Sequence, residues 1–239
     1  MWMGEIIVHT DISERLFRGL APLVNKLPGK LLHTNVFGCA MFAAVSGSSA
    51  ATTLTIGRIT LPELSKRKYD TNLAIGSLAG AGSFGFMIPP SIILIVYGVL
   101  SSQSIAQLFL AGVLPGLLMA GLYSSYLGLR CLINPKLSPD SGHEYSLKDY
   151  LKCIGLLLPI VVLIVVVLGS IYTGIATPTE AASVGVFASL LISVILGQFT
   201  WKIFWDSLMK ALTTSCMVCS LLAAAAFLST AMGYLHIPQ

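Results

Sequence analysis

The sequence predicts an all-α polytopic membrane protein whose helices are interrupted twice, once by a re-entrant hairpin and once by a break inside a spanning helix. Composition points there first: of 239 residues, 55% are hydrophobic and only 10% charged, with a mean hydropathy of +0.85, whereas soluble domains carry roughly a quarter charged residues. Length comes second. Apolar segments at roughly 72–100, 105–129, 151–172, 178–199 and 207–235 each reach the ~20 residues that a helix needs to cross ~30 Å of hydrocarbon. The third observation is that segment 31–61 is apolar yet punctuated, and the placement of charge decides how it sits.

Taken in order, residues 1–10 read as the end of an apolar helix. Met1 is followed by Trp2 and Glu5 with no basic stretch and no small-residue cleavage site, so no secretory signal peptide is expected. Asp11, three residues before Glu14, has capping-box spacing and starts an amphipathic helix through about Leu27. Leu16, Leu20 and Val24 lie on one side and Arg15, Arg18 and Lys26 on another, a pattern suited to the membrane surface.

In 31–61 the apolar run 36–45 stops after ten residues at Ser46-Gly47-Ser48-Ser49, and a second run resumes at Ala50 and fades near Arg58. Ten helical residues rise about 15 Å, half a bilayer. Two short helices joined by a polar tip make a hairpin that enters and leaves by one face. The distribution of Lys and Arg supports it. Arg15, Arg18, Lys26 and Lys30 precede the hairpin and Lys66, Arg67 and Lys68 follow it. From there alternate loops carry Arg130, Lys136, Lys148 and Lys152, then Lys202 and Lys210, while the intervening loops at 101–106 and 172–179 have none. Thirteen of the fourteen basic residues thus share the side that the positive-inside rule assigns to the cytoplasm. A continuous span at 31–61 would invert every later loop.

Residues 80–91, GAGSFGFMIPPS, begin with the letters of a dinucleotide fingerprint. That fingerprint needs a preceding strand and an acidic residue about 20 positions on. Here an apolar span surrounds it, and no Asp or Glu occurs between Asp70 and Asp140. The alternative is a broken helix, with one half from Asn72 to about Ala81, unwinding from Gly82 to Ile88, and a second half opening at Pro89-Pro90-Ser91, where proline suits the first turn. Non-helical backbone at membrane depth is tolerated only where protein or water satisfies it. The first halves then end in carbonyls near Val45, Gly47, Ala81 and Ser83 that suit a hard cation. The second halves start at Ser49 and Ser91 with N–H groups that suit an anion.

Together, the stretches ERLFRGLAPLVNKLPGKLLHTNVFGCAMFAAVSGSSAATTLTIGRITLPEL, YDTNLAIGSLAGAGSFGFMIPPSIILIVYG, SIAQLFLAGVLPGLL and GIATPTEAASVGV resemble the large membrane subunit (M subunit, DctM-like) of tripartite ATP-independent periplasmic (TRAP) transporters over nearly the whole chain. The resemblance implies an inverted-repeat secondary transporter of the elevator type, taking up C4-dicarboxylate, sialic acid or a related small organic anion with sodium as the coupling ion and no other cofactor. Its implied partners are a soluble periplasmic binding protein, a small Q-type membrane subunit and the lipid bilayer, and its place is the bacterial inner membrane. By the same resemblance sodium would meet backbone and hydroxyl oxygens of Ser46, Gly47, Ser48, Ser49, Gly82 and Ser83. The substrate would lie by Ser48, Ser49, Gly85, Pro89, Pro90 and Ser91, with Phe84 in the same loop. It divides the chain into 1–30 (helix end and interfacial helix), 31–100 (first transport unit, hairpin 31–61 and broken helix 72–100), 101–150 (a spanning helix and cytoplasmic loop) and 151–239 (start of a second repeat). Such proteins carry two inverted repeats, so a chain ending at Gln239, before a second hairpin, is expected to be a fragment or a truncated reading frame.

Other residues have plainer readings. Thr177-Pro178-Thr179-Glu180 reads as a capped helix start, and Trp201 and Trp205 as interfacial anchors. Arg58 is expected to snorkel to the interface or pair with Glu63. His33, His143 and His236 fall near predicted ends or loops without a relay partner. Cys216 and Cys219 form half of a zinc site with no second pair. An intramembrane hydrolase using Ser48 or Ser49 would need a base, for which His236 is the candidate. A scaffold subunit without a substrate path is the other alternative. The net charge of +4 arises from loop asymmetry, which argues against nucleic-acid binding.

Overall fold

A computed structural model describes residues 1–139 and 147–234; His143 and His236 lie outside them. The described residues form helices α1 (Trp2–Val8), α2 (Ile12–Val24), α3 (Leu32–Ser46), α4 (Ser49–Lys66), α5 (Thr71–Gly82), α6 (Phe84–Met87), α7 (Ile92–Leu100), α8 (Ile105–Ile133), α9 (Leu147–Tyr172), α10 (Pro178–Ile195) and α11 (Trp201–Tyr234). No strand occurs among them. Among the described residues five stretches are long and apolar enough to cross a membrane: Thr71–Leu100, Ile105–Ile133, Lys152–Tyr172, Pro178–Ile195 and Trp201–Tyr234. They are the five spans expected from hydropathy, with ends moved by a few residues.

The organising helix is α3. It is apolar on every side and packs against α1, α2, α4, α5, α6, α8 and α9, with Val36, Cys39, Phe42 and Ala43 fully buried, as expected of a helix with no polar stripe. α4 folds back on it, so the hairpin forms. Its arms, however, are longer than the hydropathy runs. α3 has 15 residues and α4 has 18, about 22 and 27 Å long, and α4 runs on past residue 61 to Lys66.

The extra turn at the start of α3 contains His33, Thr34 and Asn35, polar residues that end the hydropathy run without ending the helix. Each is buried and bonded. His33 Nε2 donates to the Pro28 carbonyl at 2.7 Å, which leaves Nδ1 to accept from the Ser124 hydroxyl of α8 at 2.8 Å. Thr34 Oγ1 donates back to Leu31 O. Asn35 Nδ2 donates to Ala74 O at 3.2 Å and Ser77 Oγ at 2.8 Å on α5. His33 therefore has partners, and they tie α3 to α8.

Several further expectations are corrected. Asp11 does not cap α2. Its carboxylate accepts from Gln198 Nε2 at 2.7 Å while its own N–H donates to Gln198 Oε1 at 2.9 Å, and Glu14 pairs with Arg18 at 2.5 Å, so neither acid is free for the reciprocal box. α2 stops at Val24, short of Leu27, and buries Leu16, Leu20 and Val24 among its neighbours α9, α3 and α4. Arg58 does not pair with Glu63, whose carboxylate is held by Lys66 at 3.2 Å and Arg67 at 3.8 Å. The last helix begins at Trp201 instead of near 207, which puts Trp201, stacked on Phe204, and Trp205 in its first turns at the end where anchors are expected. By contrast, Thr177 and Glu180 form the expected capping box at the start of α10, with Pro178 at the first helical position.

Replacing Asn35 by Ala removes two bonds between the hairpin and α5, while Ser77 Oγ keeps its bond to Ala74 O at 2.9 Å. Thermal unfolding of the purified protein in detergent should show a loss of about 1–3 kcal/mol, while Leu114→Ala, on a side chain 75% exposed, should change little.

Candidate ion and substrate site at the hairpin tip and helix break

The tip is built by backbone geometry. Gly47 ends α3 in the left-handed region at φ +63, its N–H bonded to Ala43 O at 2.9 Å, a conformation glycine adopts without steric cost. Ser48 is extended and N-caps α4, its Oγ accepting from Ala51 N. Ser46 Oγ lies 2.9 Å from Thr52 Oγ1, and Thr53 Oγ1 donates to Ser49 O at 2.8 Å. Four hydroxyls thus line the turn between the two arms.

The break lies later than expected. α5 continues through Gly82, and Phe84–Met87 forms a further helical turn rather than unwound chain. The chain extends only at Ile88 (ψ 122) and recovers after Ser91, so α7 starts at Ile92 and the prolines stand before its N-cap instead of in its first turn. A residue preceding proline is pushed out of the helical region, and the Pro89-Pro90 pair imposes that on Ile88 and on Pro89 in succession. Ser91, fully buried, donates from Oγ to Phe86 O at 2.8 Å. It therefore leaves the first N–H groups of α7 without a side-chain cap.

Tip and break touch. Ile92 N–H donates to Gly47 O at 3.3 Å, and a Cβ on Gly47 would stand 2.7 Å from Pro90 O. A Cβ on Gly85 would stand 2.6 Å from Ser49 N, and one on Gly82 would run into Thr53 Oγ1. From the other side α8 supports the break: Cβ atoms on Gly112 and Gly116 would reach 2.8 Å from Met87 O and 2.9 Å from Ile88 Cγ1. Phe84 packs edge-on to Tyr123 at 5.6 Å. A cavity of about 120 Å³ adjoins the junction, lined by Ser46, Gly47, Pro90 and Ile92 on one side and by Val167, Ile171, Ala182 and Val186 of α9 and α10 on the other.

Of the residues expected at the site, Ser46, Gly47, Ser48, Ser49, Gly82, Gly85 and Pro90 are drawn together. Pro89 is not: its ring faces a separate apolar cleft of about 670 Å³ beside Met41, Val113 and Leu117. Ser83 turns its hydroxyl back to Gly80 O at 2.7 Å. Two carbonyls expected to be free have donors within the protein, Gly47 O from Ile92 N and Ser83 O from Phe86 N. The sequence reading missed Thr52, Thr53, the Ile92 amide and the Gly112/Gly116 pair. The last follows the small-x-x-x-small pattern of close helix approach and was visible in LAGVLPG; the amide carried no signal.

Two interrupted helices meeting inside a bundle of apolar spans define a polytopic membrane protein of the broken-helix class. Residues 1–239 match the family described as "Tripartite ATP-independent periplasmic transporter, DctM component", and the chain belongs to that family. It is 32% identical to the C4-dicarboxylate TRAP transporter large permease protein DctM of Rhodobacter capsulatus, over 99% of this chain and 56% of the relative. Identity is 31% to the ectoine/5-hydroxyectoine large permease UehC of Ruegeria pomeroyi (100% and 55%) and 31% to the sialic acid large permease SiaM of Vibrio cholerae (99% and 55%). The chain spans about half the length of these curated relatives. Membership, with the five apolar helices, makes it an integral protein of the bacterial inner membrane, and it sets aside the hydrolase reading of Ser48 and Ser49.

Gly85→Ala forces a methyl group against the Ser48–Ser49 backbone, which cannot yield as a side chain could. In the complete transporter it should lower uptake by about tenfold or more, the equivalent of ~1.4 kcal/mol, while Gly121→Ala, where a Cβ meets nothing within 4 Å, should leave uptake intact.

Proposed function

We propose that this chain provides part of a large TRAP permease subunit that imports a small organic anion with sodium, at the junction of hairpin tip and helix break. The observation that carries the reading is the direct contact of the two interruptions, Gly47 O with Ile92 N–H and Gly85 against Ser49. It gathers helix ends of both signs at one place. α3 and the α5–α6 segment present carbonyl ends and hydroxyls, among them Ser46, Ser48, Ser49, Ser83 and backbone oxygens of Gly47 and Gly82, suited to a hard cation such as Na⁺. α4 and α7 present N-terminal ends, and α7 has no side-chain cap, which suits a carboxylate beside Ser48, Ser49, Gly85, Pro90 and Ser91. Pro89, on the far side of the break, shapes the site from behind.

The relatives named for C4-dicarboxylate and sialic acid share a carboxylate, and substrates of that class fit a cation next to an amide-lined anion site. In this reading 31–100 moves as the first transport unit of an elevator, 151–239 begins the second repeat, and a periplasmic binding protein and a small membrane subunit complete the complex. One elementary charge crossing 100 mV gains about 2.3 kcal/mol, so two sodium ions carried with a monoanion gain that amount plus their concentration gradient.

With the complete complex reconstituted together with its binding protein, uptake should fall to background when sodium is replaced by potassium; uptake unchanged by that replacement would sink sodium coupling. Ser48→Ala removes the cap of α4 and one hydroxyl from the tip. It should raise the sodium concentration for half-maximal uptake several-fold at a stability cost of about 1 kcal/mol, read from a sodium titration of uptake alongside thermal unfolding.

A further inference from the structure

Between α2 and the C-terminal half of α4 lies a cleft of about 580 Å³, away from the hairpin tip, lined by Glu14, Phe17, Arg18, Arg58, Ile59 and Arg67 together with Ala21, Pro62 and Glu63. Both carboxylates in it are engaged, Glu14 by Arg18 and Glu63 by Lys66 and Arg67. Arg58 is exposed and has no hydrogen bond or ion pair among the described residues. The cleft thus holds three arginines against two carboxylates, and the excess is a guanidinium with its donors unused. An arginine is costly to place in a membrane hairpin, and its planar fork matches a two-oxygen anion in a way that a point charge does not.

Position identifies the anion. Arg58 stands three turns past the tip, on the arm that leads to Lys66, Arg67 and Lys68, the face that the charge distribution assigns to the cytoplasm. One turn deeper on the same side of α4, Leu54 is 63% exposed, and the cleft floor is apolar at Phe17, Ala21, Ile59 and Pro62. A basic group at interface level above an outward-facing apolar surface is complementary to a phosphate with acyl chains below it. We propose that this cleft binds the phosphodiester headgroup of an anionic phospholipid, with Arg58 as the principal contact, Arg18 and Arg67 at its sides and the acyl chains passing over Leu54. A bound lipid bridges α2 and the hairpin arm and so bears on how freely the hairpin shifts against α2.

The test is native mass spectrometry of the purified full-length transporter titrated with phosphatidylglycerol, with phosphatidylcholine for comparison and with inorganic phosphate and glycerol 3-phosphate as soluble competitors. Wild type should retain phosphatidylglycerol in preference to phosphatidylcholine, and Arg58→Gln should retain it about fivefold less well, the effect of losing one basic contact near a membrane surface. Arg58→Lys, which keeps the charge and guards against a folding failure of the Gln variant, should fall in between. Leu54→Gln should also weaken retention. Wild-type retention in Arg58→Gln, or in Arg58→Lys where the Gln variant does not fold, overturns the proposal. Displacement of the lipid by inorganic phosphate at equal concentration overturns the lipid assignment in favour of a free-phosphate site.

Discussion

Close backbone approach at glycine is the constraint on which the centre of this protein depends. Gly47 and Gly85 place two interrupted helices in contact, the first against Pro90 O and the second against the Ser48–Ser49 peptide. A Cβ at either position would stand 2.6–2.7 Å from the backbone facing it, so the hairpin tip and the break would have to move apart. The same device recurs one layer out, where Gly112 and Gly116 of α8 accept Met87 O and Ile88, so the break is clamped from two sides without a polar side chain at the clamp. Packing with small residues is the interaction available when the surrounding solvent is itself apolar.

A second constraint follows from the same solvent. Polar groups inside a bilayer need partners within the protein, and polar residues of α3 find them across elements: His33 with Pro28 and Ser124, and Asn35 Nδ2 with Ala74 and Ser77, while Asn35 Oδ1 has no partner among the described residues. These bonds attach the first arm of the hairpin to α5, which leads into the break, and to α8, which packs against it. Ser91 illustrates the local version, giving its hydroxyl to Phe86 O and so leaving the start of α7 uncapped. The start of α7 thus lacks a side-chain cap, although its Ile92 amide is taken up by Gly47 O, and it stands beside the small cavity lined by Ser46 and Gly47.

Legibility from sequence varied with the range of the physics involved. The spans at 105–129, 151–172 and 178–199 were readable because hydropathy is a property of each segment alone, and the hairpin was readable because charge bias sums over loops. The α10 capping box was readable because its two partners lie three residues apart. Asp11 and Glu14 have the same spacing, yet Gln198 and Arg18 take them instead, a competition invisible without knowing which loop packs nearby. The unwinding assigned to Gly82 through Ile88 misjudged glycine: in contact with Thr53 and Ser49, those glycines are there for proximity, and Phe84–Met87 stays helical.

Hydropathy, segment length and loop charge are additive and local, which is why the membrane class, the apolar spans and the existence of two interruptions could be read from the chain alone. Tertiary structure decided that the interruptions meet, that Pro90 faces the tip while Pro89 turns away, and that Arg58 is left without a carboxylate. Those outcomes depend on which donor or surface the packing brings within a few ångströms, and that is set by helices distant in the chain.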